Sequence, residues 1–191
     1  MNHTQTLRSS GRTNALTIAF ILATSLLVVP SALAQAAGGN NAFGFNSDPI
    51  TGFGVGQVLL NGGGAINIDT KVAHAGGGFN CLQGVEQGPL LGCKAGEGIR
   101  WDTANVLAST GFKCSSNAAE AKKTATTSTG TTNPDTVVLL ADFYRAGDGN
   151  DESFTGQMIV SSQDLAPDVP GIQNVWIEKV GCGSAIVNFN H

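Results

Sequence analysis

The side chains that could perform acid–base chemistry are few and widely spaced. Asp102, Asp142 and Glu178 each lie in or beside a predicted strand, and two such carboxylates could act as general acid and base, as in glycosidases. His74 could act as a general base, but it lies in a glycine-rich stretch typical of a hairpin. The chain has no G-x-S-x-G elbow for a serine nucleophile. These residues define an enzyme hypothesis, that of a small hydrolase or barrel isomerase.

A cluster of hard oxygen ligands follows the clearest predicted strand. Its members are Asp148, Asn150, Asp151 and Glu152. Carboxylate and amide oxygens could hold Ca²⁺, but Ser153 and Ile159 stand where an EF-hand needs its glycine and its bidentate glutamate. Asp, Asn and Gly also favour tight turns, which explains the same residues. The cluster is therefore either a calcium site or a hairpin turn.

Two aromatic and acidic pairs could bind a sugar or another small molecule. Trp101 precedes Asp102, and Trp176 lies two residues before Glu178, each in a predicted strand. An indole ring offers apolar contact area with one polar N–H, and a carboxylate accepts hydrogen bonds from hydroxyl groups. Tryptophan packed in a β-domain core is the competing explanation. These four residues are the ligand-binding candidates.

The first 34 residues have the three-part layout of a bacterial-type secretory signal peptide. Arg8 and Arg12 precede an uncharged run over residues 15–29, and Ala32 and Ala34 have the small side chains of a cleavage site. The run is shorter than the roughly 20 residues that span a bilayer. We therefore predict a helix removed by cleavage, no transmembrane anchor afterwards, and a secreted or periplasmic product.

All four cysteines, Cys81, Cys93, Cys114 and Cys182, follow this predicted signal. An even number of cysteines in an oxidising compartment predicts two disulfides. A zinc site is the alternative, but the spacings contain no C-x2-C pair. Three pairings are possible. We favour Cys81 with Cys93 and Cys114 with Cys182.

The exported part divides by composition into an arm and a domain. Residues 35–56 are rich in Gly, Asn and Phe without a sustained period, which is typical of a flexible arm. Residues 57–191 alternate short apolar runs with turn residues and predict a single β-domain. Within it, residues 124–135 are mostly Thr with Ser, Gly, Asn and Pro, which indicates a surface loop.

Hydrophobic alternation with a period of two predicts hairpins in this domain. Residues 136–145 and 154–160 form one pair of strands on either side of the acidic cluster. Residues 175–180 and 185–189 predict a second pair around a turn at 181–184.

Two glycine triplets, at 62–64 and 76–78, each precede an extended stretch and indicate adjacent strands of one sheet. No amphipathic helix is evident after the signal. We predict an all-β fold, a small antiparallel sandwich or barrel with short hairpins.

Composition and charge exclude several function classes. Only 13% of residues are charged, about half the usual quarter, which disfavours coiled coils and polyelectrolyte disorder. Removing Arg8 and Arg12 from the 10 basic residues leaves 8 against 14 acidic ones, a formal charge of −6. The only adjacent basic pair is Lys122 and Lys123, so nucleic acid is not an expected partner.

Two function hypotheses follow from the sequence. The first is a secreted, disulfide-stabilised binding or structural module whose partner is a glycan, an envelope component or an extracellular protein. The second is the small extracytoplasmic enzyme using carboxylates or His74. The sequence has no motif for a cofactor, and the scarcity of catalytic groups favours binding over catalysis.

Overall fold

The computed structural model describes residues 40–52, 55–115, 127–145 and 153–190. All regular secondary structure in these ranges is β, which confirms the predicted all-β class. The described residues belong to one compact unit. The predicted signal-peptide helix and the acidic cluster at 148–152 lie outside them.

The strands form one large antiparallel sheet and one small ribbon. The large sheet has the order β12-β1-β3-β4-β5-β8-β9-β10-β11-β2 and curls into a half-barrel, and the ribbon pairs β6 with β7. The strands are β1 Asn40–Ser47, β2 Thr51–Gly52, β3 Gln57–Asn67, β4 Val72–Gln83, β5 Arg100–Leu107, β6 Ser109–Phe112, β7 Ser128–Thr131, β8 Thr136–Tyr144, β9 Phe154–Ser161, β10 Val175–Ile177, β11 Gly181–Gly183 and β12 Ala185–Asn190.

The segment that contains β1 and β2 explains the curl. β1 pairs with β3 on one side and β12 on the other, whereas β2 pairs with β11 at the far end of the order. Between these strands, Ile50 and Val58 exchange two backbone hydrogen bonds of 2.8 and 3.0 Å. One short segment therefore reaches both β3 and the last strands of the sheet, which a flat sheet would not allow.

Residues 40–52 correct the prediction of a flexible arm. Phe43 and Phe45 are buried in the main core, and Ile50 is fully buried. The sequence pattern did not indicate this strand because the outward positions next to the phenylalanines hold small residues, Ala42 and Gly44, and not polar ones. The arm interpretation is wrong for these residues.

Two further boundaries differ from the sequence prediction. Residues 128–131 of the predicted Thr-rich loop form β7, whose Gly130 lies against Ile159; a Cβ there would come within 2.5 Å of the Ile159 side chain. The predicted turn at 181–184 contains β11 instead, and the tight turn lies at residues 178–180. Both differences arise because small residues suited to turns also permit close packing of strands.

The hydrophobic residues form two cores on opposite faces of the sheet. The concave face holds the larger core, to which β8 contributes Val137, Leu139, Ala141 and Phe143 as its alternation predicts. The convex face holds a smaller core under the β6–β7 ribbon, and its members are Phe112, Cys114, Val138, Ile159, Ala166, Trp176 and Cys182. The ribbon thus converts part of the outer face into a second buried layer.

The glycine triplets lie opposite each other in β3 and β4, as the sequence predicts for adjacent strands. Trp101 on β5 lies over them on the concave side. Its indole N–H donates to the Asn61 carbonyl at 2.9 Å, and a Cβ on Gly62 would come within 2.6 Å of its ring. The glycine triplets therefore leave free of side chains the space that the indole ring occupies.

We expect Gly62→Ala to destabilise the domain by about 3 kcal/mol, because the methyl group collides with Trp101 and Gly62 has a φ of +152°. Gly44→Ala is the matched control, since its nearest non-bonded atom would be 3.9 Å away, and it should change stability by less than about 0.5 kcal/mol. Urea unfolding followed by fluorescence measures both. Equal effects would contradict the packing account.

Candidate functional site

The domain contains two disulfides, and their pairing is the one predicted from the sequence. Cys81–Cys93 links the end of β4 to the loop before β5. Cys114–Cys182 links the segment after β6 to β11 across 68 residues. No described cysteine is free. The two bonds fit a stabilised extracytoplasmic domain.

A pocket of about 290 Å³ opens between the ribbon and the turn after β10. Trp176 is buried beside it with its ring 6.2 Å from that of Phe112 on β6. Glu178, the first residue of the turn after β10, lines the same pocket. The structure thus brings Trp176 and Glu178, two of the four ligand-binding candidates, to one pocket.

Polar groups from two strands and one turn meet in this pocket. Thr110 on β6 donates a hydrogen bond to the side-chain carbonyl of Gln157 on β9. The Gln157 backbone N–H lies 3.4 Å from a Glu178 carboxylate oxygen, and the Glu178 N–H donates to the Gln157 carbonyl at 2.9 Å. These bonds fix the positions of Thr110, Gln157 and Glu178 relative to each other.

Two hydrogen-bond donors in the pocket are available for a ligand. Within the described residues, neither the Trp176 indole N–H nor the Gln157 side-chain N–H₂ donates a hydrogen bond, and both residues line the pocket. The Glu178 carboxylate adds acceptors, since its one hydrogen bond is long. A small polar molecule could satisfy all three groups.

Two lysines line the pocket. Lys113 follows β6 and precedes the disulfide-bonded Cys114, and Lys179 follows Glu178 in the turn. Lys179 has a φ of +55°, a left-handed conformation that costs a residue with a Cβ about 1–2 kcal/mol. Its carbonyl accepts a hydrogen bond from the Gln87 side chain at 3.3 Å, which helps to hold the turn.

Trp101 and Asp102, the other two ligand-binding candidates, do not line this pocket. Trp101 is 1% exposed, and its N–H is already bonded to Asn61, so its ring and its donor are used in packing. Asp102 projects from the convex face opposite Asp142 of β8. The structure does not bring this pair together with Trp176 and Glu178.

Asp102 and Asp142 form a separate polar patch with the Tyr144 ring. The Tyr144 hydroxyl donates to Asp102 at 3.4 Å, Thr155 donates to Asp142 at 3.2 Å, and the Arg100 guanidinium lies 4.3 Å from the centre of the Tyr144 ring. Partial desolvation, followed by the negative charges of Asp102 and Asp142, raises the pKa of the Tyr144 hydroxyl. The cation and the hydroxyl donors balance part of the repulsion between the two carboxylates.

The remaining chemical candidates do not converge on the pocket. His74 is exposed on β4 and pairs across the sheet with Ala65. Among the described residues, no three His, Cys, Asp or Glu side chains are close enough to hold a metal ion. The predicted calcium ligands at 148–152 lie outside the described residues, so that prediction stays a prediction.

Of the nine residues that line the pocket, the sequence interpretation named only Trp176 and Glu178 as ligand-binding candidates. The other seven are Thr110, Gly111, Phe112, Lys113, Thr127, Gln157 and Lys179. One signal could have found the lysines. Because Lys113 is next to Cys114 and Lys179 lies three residues before Cys182, the predicted disulfide already places them near each other. Thr110 and Gln157 meet only through the docking of the ribbon, which no local pattern reports.

Comparison with known proteins gives no family for this chain. It matches no family model, no curated protein and no solved structure. Its function is therefore argued from the geometry of the pocket.

Within the part of the chain that the structure describes, no helix has the length and apolar character that a membrane crossing requires.

Removing the Cys114–Cys182 bond should loosen the pocket. Closing its 68-residue loop is worth about 4 kcal/mol in the chain-entropy model, against about 3 kcal/mol for the 12-residue Cys81–Cys93 loop. We expect the double change Cys114→Ala and Cys182→Ala to speed amide hydrogen exchange in β6 and β7 by at least tenfold more than in β3 and β4, because the ribbon loses its tie.

The double change Cys81→Ala and Cys93→Ala is the control for that experiment. It removes the other disulfide, which borders the larger core, and should leave exchange in the ribbon within about twofold of the parent protein. If both double variants loosened β6 and β7 equally, the disulfide would not be the tie that holds the pocket wall.

Proposed function

We propose that the protein is a secreted or periplasmic binding module that takes a small hydroxyl-rich molecule, such as one unit of a glycan, in the pocket beside Trp176. The observation that supports this most is the meeting in one pocket of an indole N–H and an amide N–H₂ that lack partners among the described residues, with a carboxylate that accepts a single long hydrogen bond. Each of these groups can bond a hydroxyl group, which both donates and accepts.

The size and lining of the pocket support a small ligand. Its volume of about 290 Å³ is at the lower end of the roughly 300–1,000 Å³ range of small-molecule sites. Trp176 and Phe112 supply the apolar surface, while Thr110, Gln157 and Glu178 supply polar groups. An aromatic wall beside directed polar groups suits a sugar ring, which has apolar C–H faces and hydroxyl edges.

The proposal includes export of the domain from the cytoplasm. The signal peptide over residues 1–34, cleaved after Ala34, would deliver the domain to an oxidising compartment. The two disulfides support that location. No transmembrane anchor would then remain, and the partner would be met outside the cytoplasm.

The separation of the carboxylates favours binding over acid–base catalysis. Glu178 lines the pocket, whereas Asp102 and Asp142 face each other on β5 and β8, on a patch that shares none of its residues with the pocket lining. A pair of carboxylates acting on one glycosidic bond must stand on either side of it. We therefore place the enzyme hypothesis second.

The two tryptophans allow a test with an internal control. In a ¹H–¹⁵N spectrum of the secreted, disulfide-bonded protein, each gives one indole N–H signal. Titration with glucose, galactose, N-acetylglucosamine and glucuronate should shift the Trp176 signal with at least one of these sugars. The Trp101 signal should stay in place, because its N–H is buried and bonded to Asn61.

Glu178→Gln should weaken that binding about tenfold, because a neutral amide loses the charge-assisted hydrogen bond to a hydroxyl group. Asp102→Asn is the matched control and should leave the dissociation constant within about twofold. A larger effect of Asp102→Asn would move the site to the other patch. No shift of Trp176 with any of the four sugars would contradict the proposed function.

A further inference from the structure

We infer that the preferred ligand of this pocket is a carboxylated sugar, a uronate unit, whose carboxylate lies between Lys113 and Lys179. This inference rests on the proposed function and names the class of its ligand. It follows from the local charge, from the backbone of Lys179 and from the position of Glu178.

The charge around the pocket is opposite to that of the exported chain. Six basic residues lie in the described ranges, Lys71, Lys94, Arg100, Lys113, Arg145 and Lys179. Two of the six line this pocket against one carboxylate, that of Glu178, whereas the exported chain has 14 acidic residues against 8 basic ones. A positive site on an acidic protein attracts an anionic ligand selectively.

The backbone at Lys179 provides a second argument. Its φ of +55° is a conformation that glycine or asparagine adopts at lower cost. Strained residues of this kind often stand at binding sites, where the side chain offsets the strain. Lys71, in the turn between β3 and β4, has a φ of +56° but does not line the pocket. A substitution of Lys71 therefore shows what a change in a left-handed turn does without any change to the pocket.

Both lysines are anchored before a ligand arrives. Lys113 is fixed by the neighbouring disulfide, and Lys179 by the turn that connects β10 to β11. Both side chains are exposed, while the backbone of each is held in the pocket lining. Fixing the backbone of a binding group in advance lowers the entropy lost when the ligand binds.

Glu178 gives the ligand one orientation. A uronate carboxylate near Glu178 would be repelled, while ring hydroxyl groups there can donate to it. The lysines favour the reverse arrangement, with the carboxylate at their side. A neutral sugar can accept hydrogen bonds from the lysines but has no charge to pair with them.

The test compares glucuronate with glucose by the Trp176 indole shift. At low ionic strength we expect glucuronate to bind at least tenfold more tightly, and the preference to fall several-fold in 0.5 M NaCl because salt screens the lysines. Lys179→Gly should reduce the preference about fivefold, and the double variant with Lys113→Gln should abolish it. Glycine accepts the left-handed turn, so Lys179→Gly should retain the fold.

Lys71→Gly is the matched control and should leave the preference unchanged. Each variant is checked for folding by an unshifted Trp101 indole signal. Equal affinity for the two sugars would overturn the uronate inference while leaving the proposed pocket intact. A preference that survives the double lysine variant would also overturn it. No shift with either sugar would reject the inference and, if galactose and N-acetylglucosamine also fail, the proposed function with it.

Discussion

The contact between the Trp101 indole and the paired glycine triplets is the constraint on which the rest of the sheet depends. Trp101 lies on β5, its N–H is bonded to Asn61 on β3, and its ring packs 6.0 Å from that of Phe45 on β1. One side chain therefore crosses β4 and joins four successive strands. It can do so only because Gly62 and the facing Gly77 leave the concave surface bare at that point. The large indole ring fills the volume that side chains at these glycine positions would otherwise occupy.

The curl of the sheet and the location of the pocket follow from where bulky residues are placed. On the concave face, Trp101, Phe143 and the phenylalanines of β1 fill the space, so no residue of the pocket lies there. On the convex face, the β6–β7 ribbon and its disulfide create a second layer with an incomplete edge. The pocket lies at that edge, where the ribbon ends and the turn of Lys179 begins.

Sequence reasoning succeeded where a signal is local and failed where it depends on distant packing. The alternation in β8 predicted its buried face, and the cysteine count with loop length predicted both disulfides, because each is visible within one segment or one residue type. β1 and β7 were missed, since their outward or close-packed positions hold Ala, Gly and Thr and so give no contrast between apolar and charged residues. The tryptophans were identified, but their different roles depend on what lies across the sheet from each.

The same comparison explains why Trp176 and Trp101 differ although each has an acidic neighbour in sequence. Trp101 faces glycines, so its ring sinks into the concave core and its N–H reaches a backbone carbonyl. Trp176 packs against Phe112 on the ribbon, and it lines the pocket together with Gln157 and Glu178. Trp176 is a candidate binding residue because it lies at the edge of the ribbon that covers it, and the segment after β6 is tied to β11 by Cys114–Cys182. The disulfide that stabilises the domain is thus also the bond that shapes its candidate binding site.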